Sequence, residues 1–173
     1  MGVVLYAAVS LDGHLAEPDD GLGFLDDLAE AGGGYEEFLV GVGALVMGRR
    51  TYDVIRALGS WPYDERPTVV VTSRPLDDPP PGVRAECGDD LPGLVAALSA
   101  ATSGTIWLVG GGALARAFLA AGLVDELDLV LTPHVLGAGV PLWGPGTGRH
   151  RLELLTAEPV GAGAVRVRYQ GRL

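Results

Sequence analysis

The sequence predicts an α/β fold: one domain over residues 1–173, with a mostly parallel central sheet, flanking helices on both faces and an antiparallel C-terminal edge hairpin. Three observations support this prediction. Short apolar, β-branched runs alternate along the chain with segments of helical periodicity. Most of these runs are continuous, as in strands that are covered on both faces. The last segment instead alternates apolar and polar residues after a glycine-rich turn, as antiparallel strands do.

Continuous apolar runs that end in polar or glycine residues predict the strands of the sheet. They lie at Val3–Val9, at 44–47, at Thr68–Val71, from 106 to the glycines that begin at 110, and at 127–131. Close to the C-terminus, Val165, Val167 and Tyr169 alternate with two arginines after a turn at 161–163. This alternation predicts the antiparallel edge.

Apolar residues with helical spacing predict the helices between these strands. In chain order, the predicted helical segments contain Tyr35, Phe38, Leu39 and Val42; then Arg49 to Gly59; then Leu91, Leu94, Val95 and Leu98; and finally Leu114 and Phe118. Asp89 or Asp90 is suited to cap the start of the third helix, with Pro92 in its first turn. Gly122 is suited to end the fourth.

The composition limits the partners. The chain has a formal net charge of −10, and its 12 basic residues are all arginine, so an acidic surface makes nucleic acid an improbable partner. No apolar stretch is long enough to span a bilayer, and the N-terminus lacks the pattern of a signal peptide. Cys87 is the single cysteine, which excludes an internal disulfide. We therefore expect a soluble, cytoplasmic protein that binds a small molecule and neither nucleic acid nor membrane.

Residues suited to phosphate binding follow several of the predicted strands, where open α/β sheets bind ligands. The glycines 110–112 would let a phosphate approach the backbone at a helix start. Arg49 or Arg50 with Thr51 would act in the same way at a second helix. Ser73 and Arg74 would offer a hydroxyl and a forked guanidinium to a further phosphate.

Each of these patterns has a plainer alternative. The glycines, and the Ser73-Arg74-Pro75 segment, are also typical of tight turns, and paired arginines are typical of a solvated helix start. The coincidence of three such ends at one edge of a sheet favours a dinucleotide site. By contrast, His14, His134 and His150 lack the spacing of metal ligands, so no metal site is predicted. Serine-hydrolase and Walker-type phosphate motifs are absent from the sequence.

The order of these motifs resembles the dihydrofolate reductase-like fold and, within it, relatives of the reductase domain of the bifunctional riboflavin-biosynthesis enzyme. The matching pieces cover nearly the whole chain. They are Val9 to Ala16, Val46 to Tyr52, Val71 to Arg74, Val109 to Gly112, Val124 to Leu127 and Pro133 to Trp143. The zinc deaminase half of the bifunctional enzyme has no counterpart, since Cys87 stands alone.

The resemblance implies NADPH as cofactor and assigns positions to it. Ala7 and Ala8 would offer backbone groups to the nicotinamide carboxamide. The pyrophosphate and adenosine would contact Gly48, Arg49 and Thr51. The 2′-phosphate would bind to Thr72, Ser73 and Arg74. The pyrophosphate would also bind to Gly110, Gly111, Gly112 and Ala113. It also implies hydride transfer to a small heterocyclic substrate, pteridine- or pyrimidine-like, and a homodimer.

The acid that would accompany hydride transfer stays open. Asp12, Asp26 and Asp27 are the first candidates, since a half-buried carboxyl can have a raised pKa. Glu30 is a further candidate for the acid that holds the ring in dihydrofolate reductases. The alternative to a catalytic role is that these carboxylates are solvated, and that Asp12 only helps to form a turn. Trp61 and Trp143 are expected either to line a flat pocket or to pack in the core.

Three functions remain open at this point: a reductase, including dihydrofolate reductase proper; a non-catalytic NADP(H)-binding module; and a structural dimer whose arginines pair with the acidic surface.

Overall fold

The structure of the protein, a computed structural model, describes residues 2–30, 34–145 and 147–171, and for residues 29 and 30 the backbone alone. Within these ranges it contains ten strands. They are β1 (Val3–Val9), β2 (His14–Ala16), β3 (Val42–Gly48), β4 (Thr68–Val71), β5 (Val83–Glu86), β6 (Thr105–Gly110), β7 (Glu126–Leu131), β8 (Val140–Pro141), β9 (Glu153–Gly161) and β10 (Ala164–Gln170).

Helices cover the sheet between these strands. A 3₁₀ turn at Gly23–Leu25 precedes α1 (Asp26–Glu30), and the others are α2 (Tyr35–Val40), α3 (Arg49–Ala57), α4 (Leu91–Ala101) and α5 (Gly112–Ala120). The Asp90 carboxylate accepts a hydrogen bond of 2.8 Å from the Gly93 amide and caps α4, as the sequence predicts. No helix in the described ranges is long and apolar enough to cross a lipid bilayer.

Eight strands form one sheet in the order β5-β4-β3-β6-β1-β7-β10-β9. The first six are parallel, whereas β10 pairs antiparallel with both β7 and β9. A separate two-stranded ribbon joins β2 to β8. The predicted fold class is therefore confirmed, including the antiparallel C-terminal edge.

The core lies on both faces of the sheet. On one face, alternate residues of the central strands pack against Leu98 of α4 and Phe118 of α5. On the other face, Tyr6, Leu45 and Trp107 pack against α2 and α3. This two-sided burial explains why the central strands have continuous apolar sequences.

Four features differ from the sequence prediction. Val42, predicted as the end of a helix, begins β3 because α2 ends at Val40, with Gly41 as its C-cap, and Val42 pairs with Thr105 in the sheet. Strands β5 and β9 were not predicted. They are the two edges of the sheet and are largely exposed, so their sequences lack a continuous apolar run. The ribbon strand β2 lies inside the segment predicted as a polar loop.

A nearly buried ion pair joins β7 to the antiparallel edge. Asp128 is 2 % exposed, and its carboxylate accepts bonds of 2.7 and 2.6 Å from Nε and Nη2 of Arg166. The guanidinium carbon of Arg166 lies 5.6 Å from the centre of the Tyr6 ring, in a cation–π arrangement. The hydrogen bond to Asp128 raises the pKa of Arg166 above its usual value, so the guanidinium stays charged.

We expect the Asp128→Ala substitution to lower the free energy of unfolding by about 3–5 kcal/mol, because it leaves the Arg166 guanidinium without its counter-ion. Urea denaturation at pH 7 measures this loss. The exposed pair of Arg84 with Glu86 provides the control, and Glu86→Ala should cost less than about 1 kcal/mol. Equal losses in the two variants would contradict a structural role for the Asp128–Arg166 pair.

Candidate active-site cleft

One large cleft opens at the carboxyl ends of β1, β3 and β6, and its volume is about 1040 Å³. Its walls are formed by the ends of these strands, the first turns of α3 and α5, and the β2–β8 ribbon. Ligand sites in proteins are commonly about 300–1,000 Å³. The cleft therefore has room for a dinucleotide and a second small molecule.

Glycine backbone forms the wall between the two helix starts. A Cβ atom on Gly48, just before α3, would lie 3.7 Å from the Gly111 amide nitrogen, and one on Gly111 would lie 3.4 Å from Oγ1 of Thr51. A Cβ on Gly112 would collide with the carbonyl oxygen of Pro141. The Gly110–Gly111 peptide is cis. The starts of α3 and α5 thus converge, and both present amide groups to the same part of the cleft.

Three arginines line the cleft, and each has a different environment. Arg49 donates hydrogen bonds to the Asp53 carboxylate and, at 2.9 Å, to the carbonyl oxygen of Pro75, which ties α3 to the loop after β4. Arg50 forms an ion pair of 2.6 Å with Asp20, which also lines the cleft. Arg116 of α5 forms no ion pair within the described part of the chain.

Arg116 was not predicted as a ligand-binding residue. It lies one helical turn after Gly112, and a Cβ on Gly112 would lie 3.2 Å from its Nη1 atom. This four-residue spacing from the glycine turn is the signal in the sequence that could have identified it.

An aromatic wall, defined here as Tyr6, Tyr35 and Trp107, lines another part of the cleft. The Tyr6 and Trp107 rings meet edge to face at 6.0 Å, and Tyr35 meets Trp107 at 5.9 Å. The indole nitrogen of Trp107 donates to the carbonyl oxygen of Tyr6 at 3.0 Å, which fixes the ring. Burial raises the pKa of Tyr6 to about 12 and also raises that of Tyr35, so both phenols stay uncharged at neutral pH.

Asp12 holds two loops together beside the cleft. Its carboxylate accepts hydrogen bonds from the Ser10 hydroxyl at 2.6 Å and from the amides of Leu136 and Gly137 at 3.1 and 2.7 Å. These bonds, the one from Ser10 above all, hold the pKa of Asp12 well below its usual value. The expectation of a raised pKa at this carboxyl needs correction, because its hydrogen-bond donors favour the charged form.

The structure brings none of the three candidate acids to the wall of the cleft. Asp12 lies beside the ribbon that closes it, and Asp26 and Asp27 are exposed on α1. The carboxylates that do line the cleft are Asp20, which is paired with Arg50, and Glu36. Sequence reasoning missed both, since neither adjoins a predicted strand end.

Most of the predicted cofactor residues line the cleft, and a few lie beside it. Those on its wall are Ala7, Ala8, Gly48, Arg49, Thr51, Gly111, Gly112 and Ala113. Gly110, Thr72, Ser73 and Arg74 are not part of the wall. The loop that contains the last three follows Val71, which does line the cleft, and Arg74 is exposed, with no ion pair in the described ranges.

The two tryptophans considered for a flat pocket do not line the cleft. Trp61 packs against Tyr52 and Tyr63, with ring centres at 5.9 and 5.1 Å, and Trp143 packs against the core. The tryptophan that lines the cleft is Trp107. Across the described residues there is no group of three or more histidine, cysteine or carboxylate side chains positioned to hold a metal ion.

Comparison with known proteins identifies the family. A family model described as the RibD C-terminal domain matches residues 2–166. The chain belongs to this family. The uncharacterized protein YwjB of Bacillus subtilis (strain 168) is 32% identical over 168 residues, which are 96% of this chain and 95% of that one.

Solved structures similar to this RibD C-terminal domain support the same fold. A provisionally assigned riboflavin biosynthesis protein from Shewanella sp. PV-4 is 28% identical, with a TM-score of 0.85 and 98% of each chain covered. Dihydrofolate reductase from Enterococcus faecalis, solved with NADP(H), is 16% identical with a TM-score of 0.67, covering 98% of this chain and 95% of that one. The fold is therefore dihydrofolate reductase-like.

A bifunctional protein from Thermotoga maritima extends beyond the part that this chain matches. It is a diaminohydroxyphosphoribosylaminopyrimidine deaminase and 5-amino-6-(5-phosphoribosylamino)uracil reductase. It is 16% identical with a TM-score of 0.72, and the match covers 98% of this chain but 56% of that one. At this identity the likeness establishes the fold and not the substrate.

The link that Asp12 makes between the two loops should be measurable by NMR. Because the folded-state pKa of Asp12 is lowered, its stabilising contribution is complete above the unfolded value of about 4 and is lost as the pH falls below it. We expect the amide proton shifts of Leu136 and Gly137 to stay constant from pH 7 to about 4 and to move only at lower pH.

The variant Asp12→Ala should speed hydrogen exchange at these two amides by at least about tenfold, since both lose their acceptor. Asp77, which is exposed, provides the control, and Asp77→Ala should leave both rates unchanged. Unaltered exchange in Asp12→Ala would show that the loops are held by other contacts.

Proposed function

We propose that this protein is an NADPH-dependent reductase that transfers a hydride to a small heterocyclic substrate, pteridine- or pyrimidine-like. One observation carries the proposal: the starts of α3 and α5 converge on one side of the cleft, where the close approach of Gly48 to Gly111 brings both helix starts to the same wall. Membership of the RibD C-terminal domain family supports it.

The residues of the cleft fit this cofactor. In the proposal, the amides at Gly111, Gly112 and Ala113 bind the pyrophosphate, and Thr51 and Arg49 flank it from α3. Arg116, with no ion pair among the described residues, is free to add a forked contact to the same phosphates. The backbone of Ala7 and Ala8, at the end of β1, would orient the carboxamide of the nicotinamide. Bound there, NADPH supplies the hydride.

The Thr72–Arg74 loop is proposed to recognise the 2′-phosphate. The Arg74 amide donates to Oγ1 of Thr72 at 3.1 Å, which shapes the turn, and Arg49 holds the next residue through the Pro75 carbonyl. The exposed Arg74 side chain thus extends from an anchored loop beside the cleft, available to a phosphate at its edge.

The remaining contribution of the protein is to orient the substrate and exclude water. The β2–β8 ribbon, fixed through Asp12, places Leu15 and Pro141 on the cleft wall. Because Asp12, Asp26 and Asp27 do not line the cleft, the proposal gives them no contact with the reacting atoms. A homodimer and a cytoplasmic location form part of the proposal, and sedimentation velocity tests the first.

The glycine wall is tested by Gly111→Ala. The backbone of Gly111 is extended, with φ −77° and ψ −171°, so alanine can adopt it, while the added methyl group would lie 3.4 Å from Oγ1 of Thr51, between the two helix starts to which the pyrophosphate is assigned. We expect NADPH to bind at least about tenfold more weakly, as measured by quenching of tryptophan fluorescence. Gly23→Ala is the matched control, since nothing lies within 4 Å of its added Cβ and it does not line the cleft. Wild-type affinity in Gly111→Ala would remove the proposal's main support.

The 2′-phosphate assignment is tested by Arg74→Ala, with NADPH and NADH titrated in parallel. Loss of a charged hydrogen bond should weaken NADPH binding by about 1.5–3 kcal/mol and leave NADH nearly unchanged. Arg84→Ala, at an arginine outside the cleft that is paired with Glu86, is the control. Equal weakening of the two cofactors would contradict the assignment.

The same preparation decides between an enzyme and a binding module. NADPH that binds and is oxidised in the presence of a pterin or pyrimidine supports a reductase, whereas binding without oxidation across such a panel supports the non-catalytic alternative.

A further inference from the structure

We infer that two copies of this chain associate through the antiparallel edge of the sheet, with β9 lying antiparallel to β9 of the partner about a two-fold axis. The inference rests on the homodimer that forms part of the proposed function, and it goes further in assigning the surface and its register. It does not depend on the cofactor or on the reaction.

The two edges of the sheet differ in their protection against a further strand. Short length, charged side chains and prolines discourage such pairing. Strand β5 has four residues, with the Arg84–Glu86 ion pair along it and prolines 79–81 shortly before it. Strand β9 has nine residues and forms no ion pair within the described ranges. Its proline, Pro159, lies near the end of the strand, so the amides of residues 153–158 remain able to pair.

The side chains of β9 are exposed to a degree that is unusual for a strand of this length. In the described part of the chain β9 pairs with β10 alone, and every residue of β9 except Val160 is exposed. Leu154 and Leu155 are 54 % and 45 % exposed. Burial of apolar side chains against a partner is favourable, so these leucines favour association at this edge.

The β9–β10 hairpin has one apolar and one polar face, because residues directly opposite each other in an antiparallel pair lie on the same face. The apolar face contains the opposed pairs Leu154–Tyr169, Ala157–Val167 and Pro159–Val165. The polar face contains the pairs Thr156–Arg168 and Glu158–Arg166. The apolar face is continuous with the core, against which Val167 and Tyr169 pack, and it ends at the open edge. A further strand would continue it.

The charges along this edge favour a second copy of the chain as the partner. Arg149, His150 and Arg151 come just before β9 and are exposed, and neither arginine forms an ion pair in the described ranges. Glu158 lies towards the other end of β9 and is exposed. In an antiparallel pair about a two-fold axis, the start of each strand faces the end of the other. The basic segment of each copy therefore faces the partner's Glu158.

One register satisfies both the charges and the apolar side chains. When Leu154 lies at the axis, it is directly opposite the same residue of the partner. His150 is then opposite the partner's Glu158, with Arg149 and Arg151 on either side of it. Opposite charges at facing positions of paired strands are stabilising, and so are facing apolar side chains.

The surface is tested by Leu154→Lys, with sedimentation velocity as the measurement. We expect the wild-type protein to sediment as a dimer at about 10 µM, and the variant, which places two like charges at the axis, to dimerise at least about tenfold more weakly. Leu58→Lys is the matched control, because Leu58 is 73 % exposed at the end of α3, which packs against β3 and β4. It should dimerise like the wild type. A dimer that Leu154→Lys leaves at wild-type strength would overturn the inference.

The register is tested by exchanging charges across the interface. Glu158→Arg alone, and Arg149→Glu with Arg151→Glu, should each weaken the dimer at least about fivefold. The chain that carries all three substitutions should return to within about threefold of the wild-type Kd, since each new charge again faces its opposite. General loss of stability cannot produce this recovery. A triple variant as weak as either parent would contradict the antiparallel register.

The outcomes separate this inference from the rest of the proposal. A wild-type protein that sediments as a monomer at the same concentration overturns the homodimer and this inference together, and leaves the reductase to be decided by NADPH binding. A dimer that withstands the substitutions on β9 overturns the assigned surface alone.

Discussion

The parallel ladders that join β3 to β6 and β6 to β1 place three carboxyl ends side by side, and the cleft depends on this alignment. The same strands are buried on both faces, so their side chains are apolar and make the core. Polar groups become available only where the strands end. The chemistry of the cleft is accordingly carried by the strand ends and by the first turns of the helices that follow them.

This constraint explains why much of the fold could be predicted. The bounds of β1 and β4 agree with the predicted runs because a strand buried on both faces has a continuous apolar sequence. The glycines at 48, 111 and 112 were placed at the cleft for the same reason: each follows or closes such a run. Where a strand is buried on both faces, its local sequence pattern was therefore sufficient to predict it.

Features that depend on contacts between distant residues could not be predicted in this way. The edge strands β5 and β9 form through pairing with a neighbour and need no apolar run. The bond of Asp12 to Gly137 spans 125 positions, and that of Arg50 to Asp20 spans 30. The aromatic wall is a further example, because Tyr6, Tyr35 and Trp107 come from β1, α2 and β6 and meet only in the folded chain. Their sequence patterns indicate core packing and give no sign of a cleft.

The arginines show how an acidic chain without lysine can still bind an anion. Most of the described ion pairs join an arginine to a carboxylate. The positive charges of Arg49, Arg50, Arg84 and Arg166 are therefore neutralised locally by these carboxylates. An uncompensated positive charge then becomes a local feature. Among the described residues, Arg116 on the cleft wall and Arg74 beside it form no ion pair, whereas Arg166, over the Tyr6 ring, is compensated by Asp128. Under the proposed function, the phosphates of a dinucleotide would bind at the helix starts, where these arginines add positive charge to that of the first-turn amides.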